Sequence, residues 1–176
     1  MMQKKNIIGI CGSASENSIN LSILKWIKEF GKPDFDIEII ANLTDLPHFR
    51  TALTDNNTPQ QIIDLRSKIA NSDGVIFCTP EYIFSIPSGL KNMIEWCVST
   101  TVFSDKPTGI ITASTNGEKG HVELKLIMET IQAKFNEETT LLIQGAKGKI
   151  NREVKILDKE TETSLKKFVS NFNKTA

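Results

Sequence analysis

Chemistry first becomes possible at Gly12-Ser13-Ala14-Ser15-Glu16-Asn17-Ser18-Ile19-Asn20, directly after an apolar run. A buried strand that turns through small polar residues into a helix start builds an anion site. Unpaired backbone N–H groups and the positive end of the helix dipole converge there. The hydroxyls of Ser13, Ser15 and Ser18 add donors, and the pattern suits a phosphate. No Lys or Arg lies in the loop, so N–H and hydroxyl groups must carry the anion's charge, with Glu16 turned to water. Ala14 and Asn17 stand where a dinucleotide-binding glycine pattern needs glycines, and no Gly-Lys-Ser/Thr follows, which excludes a Walker loop. The plainer alternative is a strand-to-helix turn capped by Asn17 or Ser18.

Two further stretches invite the same question. Thr79-Pro80-Glu81-Tyr82-Ile83-Phe84-Ser85-Ile86-Pro87-Ser88 combines stiffening prolines with flat apolar surface from Tyr82 and Phe84. It suits a planar ring held against backbone N–H and C=O groups. Its bland reading is packing aromatics, a surface charge at Glu81, and Ser85 or Ser88 as a helix cap. Ser114-Thr115-Asn116-Gly117 is the third small polar loop, and Gly117 and Gly120 permit close backbone approach to a ligand. His48 and His121 have no identifiable partner and are expected at the surface. Cys11 and Cys78 fall on strands and are expected to be buried, inert thiols. Trp26 and Trp96 sit at helical spacing among apolar neighbours, which suits core or subunit contact.

The elements that must position these loops alternate. Strands are expected over Lys5–Cys11 and over residues 36–41, 73–79, 107–114 and 139–144. Helices are expected over residues 17–30, from 58 with Ile62, Leu65 and Ile69 as its apolar stripe, over 88–99 and 119–135, and from 159 onward. Ile19, Ile23, Ile27 and Phe30 would face inward on the first. Thr58 is expected as N-cap of the second, with Pro59 at its first position. Leu124, Ile127, Ile131 and Phe135 would line the fourth. Residues 42–57 form a long irregular connection, of the kind that is functional or mobile. Residues 145–151 form a glycine- and lysine-rich turn. Strand–helix alternation argues for a five-stranded parallel sheet with helices on both faces, in the doubly wound order 2-1-3-4-5. Ligands then sit at the carboxyl ends of strands one and three, where the winding reverses, and the unusual loops follow strands one, three and four.

Composition narrows the function classes. The 176 residues suit one domain, and 21 basic side chains balance 21 acidic ones. No charge excess points to nucleic acid, to an anionic membrane or to an acidic electron carrier. No apolar run is long enough to span a membrane, and the start is too short and strand-like for a secretory signal. Three widely spaced cysteines suit reduced thiols in the cytoplasm.

Gly12-Ser13-x-x-x-x-Ser18-x-Asn20 resembles the Gly-Ser-x-Arg-x-x-Ser-x-Asn phosphate loop of the NAD(P)H-dependent FMN reductase family. Pro80-Glu81-Tyr82-x-x-Ser85-x-Pro87, continuing through Leu90-Lys91-Asn92-x-Ile94-Glu95-Trp96, resembles that family's ring-binding stretch and is the more specific match. The resemblance implies a flavodoxin-like three-layer sandwich that binds FMN. It implies a homodimer or homotetramer passing electrons from NAD(P)H to a small-molecule acceptor: a quinone, azo dye, metal ion or free flavin. The implied phosphate contacts are Gly12, Ser13, Ser15, Ser18 and Asn20. The ring would lie on Pro80, Glu81, Tyr82, Ile83, Phe84 and Ser85, its far edge near Ser114, Thr115, Asn116 and Gly117. No side chain need act as acid or base. Two departures stand out: Ser15 replaces the family's usual Arg, removing a positive charge near the phosphate, and Ile83 replaces its usual Asn. The rival reading is an electron carrier or FMN-binding protein of the same fold without nicotinamide oxidation.

Overall fold

The computed structural model describes residues 4–54, 56–151 and 153–176. Five parallel strands form one sheet in the order β2-β1-β3-β4-β5: β1 Lys5–Cys11, β2 Phe35–Ile40, β3 Gly74–Thr79, β4 Thr108–Ser114 and β5 Thr140–Gln144. The expected order is therefore the observed one. The central strands are buried on both faces, as a parallel sheet covered by helices requires. Side chains alternate along each strand and divide the core in two. Ile7, Ile76 and Ile111 pack under α1 (Ile19–Gly31) and α6 (Lys159–Thr175). Ile8, Ile10, Val75, Phe77 and Ile110 pack under α2 (Gln60–Ala70), α3 (Ser88–Cys97) and α4 (Glu118–Thr130). Each fully buried Ile or Leu in these layers contributes roughly 1.5–3 kcal/mol of burial free energy.

Several local expectations are corrected. Thr58 does not cap α2: its hydroxyl donates to the Leu53 and Thr54 carbonyls at 2.8 and 3.2 Å, and Pro59 occupies the cap without a side-chain bond. Helix α4 stops at Thr130 instead of running to Phe135. Gln132 takes a left-handed φ of 62°, and the N–H groups of Gln132 and Ala133 return to Glu129 and Met128, closing a Schellman motif. Lys134 then pairs beside Pro107 as an extension of the sheet. Phe30, expected inward, is exposed and stacks on Trp26 at 4.8 Å. Trp96 is fully buried. The turn after β5 contains a short helix, α5 (Ala146–Lys149).

The connection between β2 and α2 is fastened to α3. Asn92 Oδ1 accepts the Phe49 N–H at 2.7 Å, and Asn92 Nδ2 and Trp96 Nε1 both donate to the Pro47 carbonyl. Phe49 meets the Trp96 ring edge-on at 5.3 Å. Asp55, within the expected loop, lies outside the described residues.

Candidate cofactor site

The carboxyl ends of the strands open into a cavity of about 710 Å³. Its walls come from four separate stretches, after β1, β3, β4 and β5. That volume falls within the range of roughly 300–1,000 Å³ usual for small-molecule and cofactor sites.

The first wall is the loop into α1. Ser18 is the N-cap: its backbone is extended at φ −83°, and its Oγ accepts the Leu21 N–H at 3.1 Å. The first-turn N–H groups of Ile19 and Asn20 have no intrahelical acceptor by geometry, and both residues line the cavity. Ser13 is buried, and its Oγ accepts the Ser15 N–H at 3.2 Å and lies 3.4 Å from the Tyr82 hydroxyl. Ser15 is exposed on the rim. Asn20 reaches inward: its Nδ2 donates to the Ala113 carbonyl at 3.3 Å and its Oδ1 accepts from the Cys78 thiol at 3.4 Å. These bonds place the start of α1 over the ends of β3 and β4. Gly12 serves packing, not the cavity wall; a Cβ there would lie 2.3 Å from Thr79 Oγ1.

The second wall is the loop after β3. Pro80, Glu81 and Tyr82 line the cavity. Tyr82 and Ser85 exchange backbone hydrogen bonds around a two-residue turn in which Ile83 and Phe84 both have positive φ, 52° and 56°. This turn directs Ile83 and Phe84 out to solvent, at 95% and 73% exposure, and off the cavity wall. Ser85 also points away, donating to Glu123 Oε2 at 2.7 Å. Glu81 is not a surface charge. Its carboxylate accepts the N–H groups of Gly117 at 3.3 Å and Gly120 at 2.8 Å, at the start of α4. The absence of a side chain at Gly120 thus admits Glu81, whose Cβ would lie 3.3 Å from an added methyl, and no ligand is needed to explain that glycine.

Ser114 and Thr115 form the third wall with Ala113. Asn116 and Gly117 do not line it: the Asn116 side chain accepts from Gln144 at 2.8 Å, and the Gly117 N–H is taken by Glu81. The fourth wall, Ala146, Lys147, Ile150 and Asn151, is one that sequence reading missed, as it did Ala113. The Gly145 N–H donates to the Thr115 carbonyl at 3.0 Å, drawing the turn after β5 against the third loop.

Of the histidines, His48 is exposed and borders a second, smaller cavity of about 340 Å³ beside the α3 start. His121 is half-buried instead of superficial. Its Nδ1 lies 2.9 Å from Thr112 Oγ1, and burial, reinforced by the nearby Lys125 charge, lowers its pKa from 6.5. Burial raises the thiol pKa of Cys11, Cys78 and Cys97, the last to about 12.

Comparison with known proteins carries this geometry to a family. NADH:(hydroxy)cinnamate reductase subunit CrdA of Vibrio ruber is 29% identical over 173 residues, covering 95% of this chain and 85% of that protein. NADPH:quinone oxidoreductase of Arabidopsis thaliana is 28% identical over 172 residues, 93% of this chain and 87% of that one. The solved structure of FerB, a flavoenzyme NAD(P)H:(acceptor) oxidoreductase from Paracoccus denitrificans, superposes with a TM-score of 0.79 at 23% identity over 97% of this chain and 96% of its own, which shows a shared fold. The family model described as NADPH-dependent FMN reductase matches residues 5–147, from the first strand through the turn after the last. With all three sequence-identified loops inside that span, the chain belongs to the NADPH-dependent FMN reductase family.

Proposed function

We propose that this protein is an FMN-dependent NAD(P)H oxidoreductase that passes electrons to a small-molecule acceptor such as a quinone, azo compound, metal ion or free flavin. The observation that carries this reading is the four-walled cavity at the winding reversal, with a phosphate-suited helix start at one end and Pro80–Tyr82 along its side. FMN, when bound, supplies the electron-transfer chemistry. The chain's own residues bind and orient. Ser15, Ser18 and the N–H groups of Ile19 and Asn20 hold the phosphate; Pro80, Tyr82, Ser114 and Thr115 bracket the ring. Glu81, committed to the start of α4, fixes the loop instead of exchanging protons, and no side chain is assigned as acid or base.

The same reading includes a homodimer or homotetramer in the cytoplasm. Ile83 and Phe84, with Val122 and Leu126 on α4, leave apolar surface exposed for self-association. Three cysteines, all free and buried, suit a reducing compartment. No helix among the described residues is long and apolar enough to cross a membrane.

The test mixes protein, FMN and NADH or NADPH with a quinone and follows nicotinamide absorbance. Protein-dependent nicotinamide consumption supports the enzyme. FMN binding without consumption favours the electron carrier, a reading that the balanced charge, 21 basic against 21 acidic residues, already opposes.

A further inference from the structure

We propose that Lys147, on the turn after β5, supplies the positive charge for the FMN phosphate that the loop after β1 lacks. This inference rests on the FMN reading above. Residues 12–20, the loop after β1 and the first turn of α1, hold no Lys or Arg. Yet a phosphate bound by N–H groups and hydroxyls alone remains an uncompensated dianion in a partly enclosed site.

The cavity wall holds a single cationic side chain among the described residues, and it is Lys147. Its placement is built, not incidental. Ala146 and Ile150, on either side of it, are buried to 3% and 2% exposure in the core layer beneath α1. Gly145, with φ 63°, makes the turn and donates to Thr115. The Leu157 N–H closes the stretch onto the Lys149 carbonyl at 2.7 Å. Asn20, at the opposite wall, is bonded to Ala113 on β4, and β5 pairs directly with β4 through Ser114 and Gln144. The start of α1 and the turn bearing Lys147 are therefore both tied to the end of β4 and line one cavity.

Lys147 is also available. It makes no ion pair with any described residue, whereas Lys149, two residues on, lies in the field of Asp158. The one carboxylate on the cavity wall, Glu81, accepts two N–H groups at the start of α4 and does not compete for it. The one cation on the cavity wall thus stands on the stretch after β5, not in the loop after β1.

The experiment measures dissociation constants of FMN and of riboflavin, which lacks the phosphate, for the wild type, Lys147→Gln, Lys147→Arg, and Lys147→Gln combined with Ser15→Arg. Lys147 is exposed, so thermal melting should not change, and Lys147→Arg should bind FMN as the wild type does. The expected result is an about tenfold weakening of FMN by Lys147→Gln, matching a lost charge-assisted hydrogen bond. Riboflavin binding should not move. Ser15→Arg should recover most of the loss, and the salt dependence of FMN binding should flatten in Lys147→Gln. Unchanged FMN affinity in Lys147→Gln, with the wild type still preferring FMN to riboflavin, would overturn the role of Lys147 and leave the FMN reading standing. Equal weakening of both ligands would also overturn it. Equal wild-type affinity for FMN and riboflavin would remove the phosphate site itself.

Discussion

Glu81 and Glu123 each reach across to the other's element. Glu81, after β3, accepts the Gly120 N–H of α4 at 2.8 Å, and Glu123, on α4, accepts the Ser85 hydroxyl and the Ile86 N–H at 2.7 and 3.0 Å. The two carboxylates clamp the loop after β3 to α4, the helix that follows the third cavity wall. Lys91 lies 3.8 Å from Glu123 and offsets part of the paired negative charge.

Glu81→Gln keeps the shape but removes a charge at a helix N-terminus, and should destabilise by about 1 kcal/mol. Glu81→Ala also strips acceptors from two N–H groups and should cost roughly 2 kcal/mol. Urea denaturation of the two variants checks the order. FMN affinity should fall in the same order, because the loop bearing Tyr82 loses its tie.

Ile83 holds a backbone conformation that suits Asn or Gly. Two-residue hairpin loops with both φ values positive favour Asn-Gly, and here the pair is Ile83-Phe84. A β-branched residue in the left-handed region carries strain on the order of 1–2 kcal/mol. Ile83→Asn should therefore stabilise the protein by about 1 kcal/mol, seen as a higher urea midpoint at constant slope. A lower midpoint would mean that the 95% exposed side chain makes a contact in solution that offsets the strain.

His121 should set an acid-side slope of stability. Burial lowers its pKa below 6.5, with Lys125 acting in the same direction and Glu137 opposing it. Once the pH falls below 6.5 the unfolded chain binds a proton that the folded state resists, so stability declines with falling pH until the lowered native value is passed. His121→Gln should flatten that part of the curve. Chemical denaturation of both proteins between pH 7 and pH 5 makes the comparison.

The cysteines should be silent toward thiol reagents in the native state. Burial raises all three thiol pKa values, that of Cys97 to about 12, so little thiolate exists at neutral pH. Ellman's reagent should label almost nothing until denaturant is added, and then three thiols per chain. Rapid native labelling of even one would contradict the packing around the ends of β1, β3 and α3.

The sheet was legible because its signals are local. Val75, Ile76, Phe77 and Cys78 form one apolar run, and a parallel sheet buried on both faces produces such runs. Asn17 and Ser18 were the two caps the sequence offered for α1, and Ser18 fills the role, because a cap acts on residues three positions away. The end of α4 was hidden because its left-handed position is filled by Gln132, without the usual glycine signal. The role of Glu81 was hidden because the N–H groups it accepts lie 36 and 39 residues downstream. The fourth cavity wall was hidden because a turn after β5 faces the loop after β1 only once the strands are ordered. Lys147 then looks like any lysine in a glycine-rich turn.

The most direct test of the account is a crystal structure of the protein grown with excess FMN. Phosphate oxygens are expected about 2.7–3.2 Å from the N–H groups of Ile19 and Asn20 and from the Ser15 hydroxyl, with the ring along Pro80, Tyr82 and Thr115. Phosphate density elsewhere, for instance in the 340 Å³ cavity beside His48, with the start of α1 bare, would contradict it.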